Sequence, residues 1–157
     1  MLNRKNLKKG FTLIELLVVI AIIGILASIV LASLNNARKK GNDAKVKSNL
    51  AGARVAAEIY FDNHKQSYVP AAADVDACNA GMFADTQSGM DSYTDTDNYP
   101  GGTTIVCNSD ASPTRFAISG TLQAGSDSDA SWCIDSDGDS KEVTGADSPL
   151  PAGDTDC

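Results

Sequence analysis

The chain has 157 residues, enough for one domain, and its 13 Lys/Arg against 20 Asp/Glu give a net charge of −7. That total hides an asymmetry: residues 1–65 hold 11 Lys/Arg against 4 Asp/Glu, while residues 66–157 hold 2 against 16, a remainder near −14. An acidic region of that size repels nucleic acid, which excludes it as a direct nucleic-acid binder. With one histidine, no nucleophile motif and no phosphate-cradling glycine loop, catalysis has no support either.

Residues 1–10, ending in Lys8-Lys9-Gly10, carry four positive charges and no negative ones. Phe11-Thr12-Leu13-Ile14-Glu15 follows, then an uncharged run from Leu16 to Ala37. About 20 apolar residues in a helix span a hydrocarbon core of about 30 Å, and the basic flank keeps that end in the cytoplasm. A cleaved secretory signal fits poorly, because the run is too long for its apolar region and no small-x-small cleavage site closes it. A plain signal anchor fits the hydropathy equally well.

Beyond Ala37 the helix is expected to continue. Val46, Leu50, Ala53, Ala57 and Tyr60 or Phe61 recur at steps of three and four, one face of an α-helix suited to packing on a sheet. Arg38, Lys39, Lys40, Lys45, Lys47 and Arg54 fall mostly off that stripe. Gly41 and Gly52 each cost about 1 kcal/mol relative to Ala, so local softening is expected there. Asn63 and His64 end the pattern. A helix of about 50 residues far exceeds the usual ~11–12 and implies spanning or bundling.

Gln66 to Pro100, rich in small and polar residues, reads as an irregular connection pinned by Cys78. Three strand candidates follow: Thr103–Cys107, Phe116–Ser119 continuing to Leu122, and Ser131–Ile134. Glu142-Val143-Thr144 returns antiparallel to the last across the turn at Asp137-Gly138. This spacing suits an antiparallel meander packed on the second half of the helix. The tail from Ser148 would fray without a tether, which Cys157 supplies.

Cys78, Cys107, Cys133 and Cys157 contain no C-x-x-C pair, and His64 lies outside their region, so zinc is disfavoured. Widely spaced cysteines after a membrane-targeting helix point to two disulfides in an oxidising compartment. Four cysteines allow three connectivities, and spacing alone does not choose among them.

Lys9-Gly10-Phe11-Thr12-Leu13-Ile14-Glu15 ahead of an apolar helix resembles the processing site of type IV pilins and their pseudopilin relatives. The resemblance is close over residues 1 to about 35 and loose over the layout beyond. It implies an α+β, type IV pilin-like fold: one long N-terminal helix, about 11–64, with a small antiparallel β head. The parts are then a leader (1–10), a transmembrane and filament-core helix (11–36), an amphipathic second half (37–64) and a disulfide-stapled acidic head (65–157).

In that family a prepilin peptidase cuts between Gly10 and Phe11 and methylates the new Phe11 amine. Arg4, Lys5, Lys8 and Lys9 hold the bond on the cytoplasmic side. Glu15, Thr12 and Gly24 are the expected assembly residues. Glu15, costly near the end of a membrane span, would pair with the Phe11 ammonium of a neighbouring subunit; an interfacial side chain reaching water is the plainer reading. Gly24 serves close helix packing or marks a soft point. Many pilins carry a proline eight residues further on; here that residue is Ala32, which favours a straighter helix.

The favoured pairing is Cys78–Cys107 with Cys133–Cys157, the second closing a C-terminal loop resembling the one that shapes many pilin heads. Asp135-Ser136-Asp137-Gly138-Asp139 superficially resembles a calcium loop, but it is too short for an EF-hand and its glycine is misplaced. A solvated hairpin turn is the plainer reading, with calcium at Asp135, Asp137 and Asp139 kept open because some pseudopilins bind it in a C-terminal loop. No other cofactor is expected.

The resemblance implies a structural subunit of a type IV pilus-like filament, not an enzyme. Its partners would be copies of itself, the peptidase, an assembly platform with its ATPase, and the bacterial cytoplasmic membrane before export to the cell surface. A pseudopilin of a secretion or DNA-uptake machine, and an uncleaved membrane-anchored binding module, are the alternatives.

Overall fold

An apolar run with few helix breakers, opened by a threonine, nucleates a helix that nothing downstream interrupts until its apolar periodicity ends. In the computed structural model, which describes residues 10–69, 77–109 and 114–157, helix α1 runs Leu13–Asn63. Gly41 and Gly52, expected to soften it, lie within the unbroken element. Ala32 retains the backbone N–H that a proline would remove. The helix stops where Lys65 and Gln66 turn to φ of 58° and 62°, and the Gln66 N–H bonds back to the Phe61 carbonyl at 3.0 Å.

The chain divides into two compact units, one ending at Ala37 and the other running from Arg38 to Cys157. In the first, α1 is exposed at every described position, including Ile14, Val18, Ile22, Ile25 and Ile29. This stretch is long and apolar enough to cross a membrane.

In the second unit, strands β1 (Ile105–Ser109), β2 (Phe116–Thr121), β3 (Ser131–Asp135) and β4 (Ser140–Val143) form one antiparallel sheet in the order β1-β2-β3-β4. Register pairs Cys107 with Ile118, Ile118 with Ile134 and Trp132 with Glu142. Val46, Leu50, Ala53, Ala57 and Tyr60 of α1 are buried in one cluster with Ile105, Phe116, Ile118 and Ile134. Three-and-four spacing on the helix and alternation along the strands put these residues at one helix–sheet interface. The sheet's other face has its own cluster, Ala117, Cys133, Val143 and Leu150, with Cys157 packed against it. Covered on both sides, β2 is buried through five consecutive residues; its run Phe-Ala-Ile-Ser-Gly carries no charge for that reason.

The segment read as irregular contains short helical turns, Gly81–Ala84, Asp91–Thr94 (α2) and Thr96–Asn98. They carry Met82, Phe83 and Met90 into the main core, each 2 % exposed or less. Sequence patterning missed these anchors because turns of three or four residues are too short to show a period. Trp132 is half-buried, with the Lys47 ammonium 4.3 Å from its ring centre.

Candidate functional site

At its start, α1 is capped by its own side chains. Thr12 precedes the first helical residue, and its hydroxyl accepts the Glu15 backbone N–H at 3.2 Å. Glu15 Oε2 accepts the Thr12 backbone N–H at 2.8 Å and the Thr12 hydroxyl at 2.7 Å. This reciprocal arrangement is a capping box, with its acid three residues past the cap. It satisfies two otherwise unpaired donors and places a carboxylate at the positive end of the helix dipole. The T-x-x-E spacing before an apolar run is a readable signal for this role, which the reading of Glu15 as a pairing partner had passed over. Among the described residues Glu15 Oε1 has no hydrogen bond, so one carboxylate oxygen stays open to a further donor.

Gly10 and Phe11 precede the cap as exposed, non-helical backbone, with Phe11 79 % exposed. Space around Gly10 is open, and the expected cationic residues Arg4, Lys5, Lys8 and Lys9 lie outside the described residues. At mid-span, Gly24 has no neighbour within 4 Å of where a Cβ would stand. The Ser28 hydroxyl donates to its carbonyl at 2.9 Å, a local back-bond of a kind that slightly bends helices.

Within the head, Cys78 is joined to Cys107, and Cys133 to Cys157. The second bridge ties the tail across the sheet face that it covers. Asn108, fully buried, donates through its amide nitrogen to the carbonyls of Pro151 and Asp154 at 2.6 and 2.8 Å. The Leu150 N–H reaches the Ser119 hydroxyl at 3.3 Å.

Asp135, 1 % exposed, anchors both the tail and the β3–β4 turn. Its Oδ1 accepts the N–H groups of Asp137 and Asp139 at 3.1 and 2.8 Å, and its Oδ2 accepts that of Cys157 at 3.0 Å. The Arg54 guanidinium of α1 donates to the Gly138 carbonyl at 2.8 Å and to the Asp139 carbonyl. Asp139 itself lies 3.7 Å from the Lys141 ammonium. Both Asp135 oxygens and two turn carbonyls thus already have donors, a set that fits a hairpin turn held by Arg54 better than a cation cage. Among the described residues no group of three or more His, Cys, Asp or Glu side chains is arranged to hold a metal.

Two acidic anchors stand outside the expected site residues. Asp43, buried on α1, accepts the backbone N–H groups of Gln123 and Ala124 at 2.7 and 2.9 Å, fixing the start of the β2–β3 loop. Glu142 takes the Ser126 N–H at 2.6 Å in the middle of that loop and lies 3.9 Å from Lys47. The Ser126 backbone and hydroxyl bonds hold the Glu142 carboxyl below its ordinary range, against a smaller opposing effect of burial. A lone acid on a mostly basic helix face was the available signal for Asp43; nothing local marks Glu142.

Comparison with known proteins bears on the N-terminal segment. The prokaryotic N-terminal methylation motif matches residues 5–31. Over 57 residues, 36 % of this chain and 44 % of the relative, the chain is 53 % identical to the type IV wide pilus major component of Thermus thermophilus. Over 58 residues, 36 % of this chain and 40 % of the relative, it is 41 % identical to the type II secretion system core protein G of Escherichia coli. With the type IV major alpha-pilin of Moraxella bovis it shares 35 % identity over 83 residues, 53 % of this chain and 52 % of that one. The matches thus span about half the relatives' length or less, and no solved structure matches.

Proposed function

We propose, from an N-terminal segment that carries the methylation motif and is similar to those of type IV pilins and of a type II secretion core protein, that the chain is a precursor subunit of a type IV pilus-like surface filament. One observation carries this reading: a capped helix whose residues 13–37 are almost wholly apolar and wholly exposed, directly after the Gly10-Phe11 junction. Such a face is stable in a bilayer or in a bundle of its own kind, and not in water. In this reading the segment first anchors the precursor in the cytoplasmic membrane and then forms the filament core, with the acidic head outside. An assembly platform and its ATPase drive the transfer.

A prepilin peptidase cuts the Gly10–Phe11 bond, whose exposed, non-helical backbone suits a protease, and methylates the Phe11 amine. Methylation keeps the positive charge and adds apolar surface. Glu15 Oε1 receives that ammonium from a neighbouring subunit while Oε2 stays on Thr12. Among packed helices a misplaced subunit would leave buried charges unpaired, so the pair sets register. A pseudopilus is the second reading, favoured by the likeness to the core protein G of a secretion system.

Intact-mass and N-terminal analysis of protein sheared from the cell surface tests the proposal. The expected chain begins at methylated Phe11 and gains the mass of four hydrogens on reduction. A chain beginning at Met1 and confined to membranes would overturn it in favour of an uncleaved anchor.

A further inference from the structure

The second unit contains a helix face that its own fold leaves uncovered. On α1 the buried residues between Asp43 and Tyr60 face the sheet. On the opposite side Gly41, Ala44, Ser48, Ala51, Val55 and Ile59 follow one another at steps of three and four, all exposed and all uncharged. Val55 is 61 % exposed and Ile59 44 %. Small residues at its start let another surface approach closely, and two β-branched side chains supply apolar contact near its end.

The cations at the start of this stripe are also uncommitted, unlike others in the unit. Lys47 lies near Glu142, Arg54 is held by the β3–β4 turn, and Arg115 and Lys141 pair with Asp156 and Asp139. Among the described residues Arg38, Lys39, Lys40 and Lys45 form no ion pair, and Lys40 and Lys45 flank the stripe by helical spacing. Residues 66–157, by contrast, hold 16 acids against 2 bases, so two heads brought together repel unless a cation intervenes.

We propose that this face, the stripe from Gly41 to Ile59 with Arg38, Lys40 and Lys45, is a docking surface for the acidic head of a second copy of this chain. Charge complementarity selects that occupant: the helix offers cations that the fold leaves unpaired, and the head offers carboxylates in excess. The contact joins two different patches, and such a heterologous contact propagates as an open helical assembly when its rotation does not close. It rests on the filament reading and deepens it by naming the head's share of the interface.

The test places a photo-crosslinking residue at Val55 or Ile59 of the full chain, in cells that assemble it. Irradiated filaments are expected to yield dimers joining this helix to a peptide from residues 66–157 of another copy. Alongside it, Arg38→Glu/Lys40→Glu/Lys45→Glu is expected to lower sheared filament about tenfold through like-charge repulsion, while Arg38→Lys/Lys40→Arg/Lys45→Arg leaves it unchanged. Reduced and unreduced masses of the variants check that both disulfides, and hence the head, have formed. Filaments that assemble equally with reversed charge, or that crosslink only to lipid or to another protein, overturn the docking surface alone. Absence of filaments from the unaltered chain overturns the filament reading, and this surface with it.

Discussion

Glu142 and Asp135 show how much of the head is organised by single carboxylates acting on backbone. Asp135 takes three backbone N–H groups in a part-buried setting and Glu142 takes one at the surface, all charge-assisted bonds, the stronger class of hydrogen bond. For Glu142 the consequence depends on pH. Its carboxyl is held below the ordinary range chiefly by Ser126, so its folded value lies under its unfolded one. The stability it contributes is therefore present above the ordinary glutamate value and lost as pH falls through the lowered folded value. Glu142→Gln is expected to destabilise the chain at neutral pH and to narrow the gap to wild type in strong acid. Thermal unfolding of both proteins across that range checks the sign; an equal gap at both ends would contradict it. Asp43 is the corresponding anchor on α1, and its signal was hidden because an acid on a basic helix face reads equally well as a solvated charge.

Elements meet tightly where β2 crosses under α1. A Cβ at Gly120 would stand 2.9 Å from Val46 Cγ1 and 3.0 Å from Ile105 Cδ1, both closer than packed side chains sit. Glycine is thus required there by the approach of helix and sheet, not by backbone conformation. Gly120→Val is expected to cost about 1–3 kcal/mol by overpacking, seen as a lower denaturant midpoint with an unchanged slope. Gly52 faces the Tyr93 ring in the same way, but that ring is the end of a movable side chain and its substitution is expected to be milder. Periodicity made the buried stripe of α1 and all four strands legible beforehand. Gly120 was not, since in a sequence it reads only as a weak point within a strand.

At the scale of the whole molecule, the acidic head folds around a small core and two covalent ties. The bridges close separations of 29 and 24 residues, each worth about 3.5 kcal/mol on a chain-entropy account. Replacing Cys133 and Cys157 together with serine is expected to lower stability by about that amount and to expose the tail to proteolysis, while α1 keeps its helicity by circular dichroism. A tail as resistant as in wild type would show that Asn108 and Asp135 suffice to hold it.

What the sequence determined by itself is local or compositional: the charge asymmetry, the processing-site resemblance, the apolar run, the helix stripe and the strands. These depend on neighbours in the chain, and their physics of periodicity, turn chemistry and hydropathy is readable there. Tertiary structure decided which cysteines meet, which carboxylates hold loops, that Phe83, Met82 and Met90 belong to the core, and that Asp135 and Arg54 both hold the β3–β4 turn. It also decided which face of α1 stays bare. Each of these turns on residues brought together from distant parts of the chain, and burial, not residue type, gives them their strength.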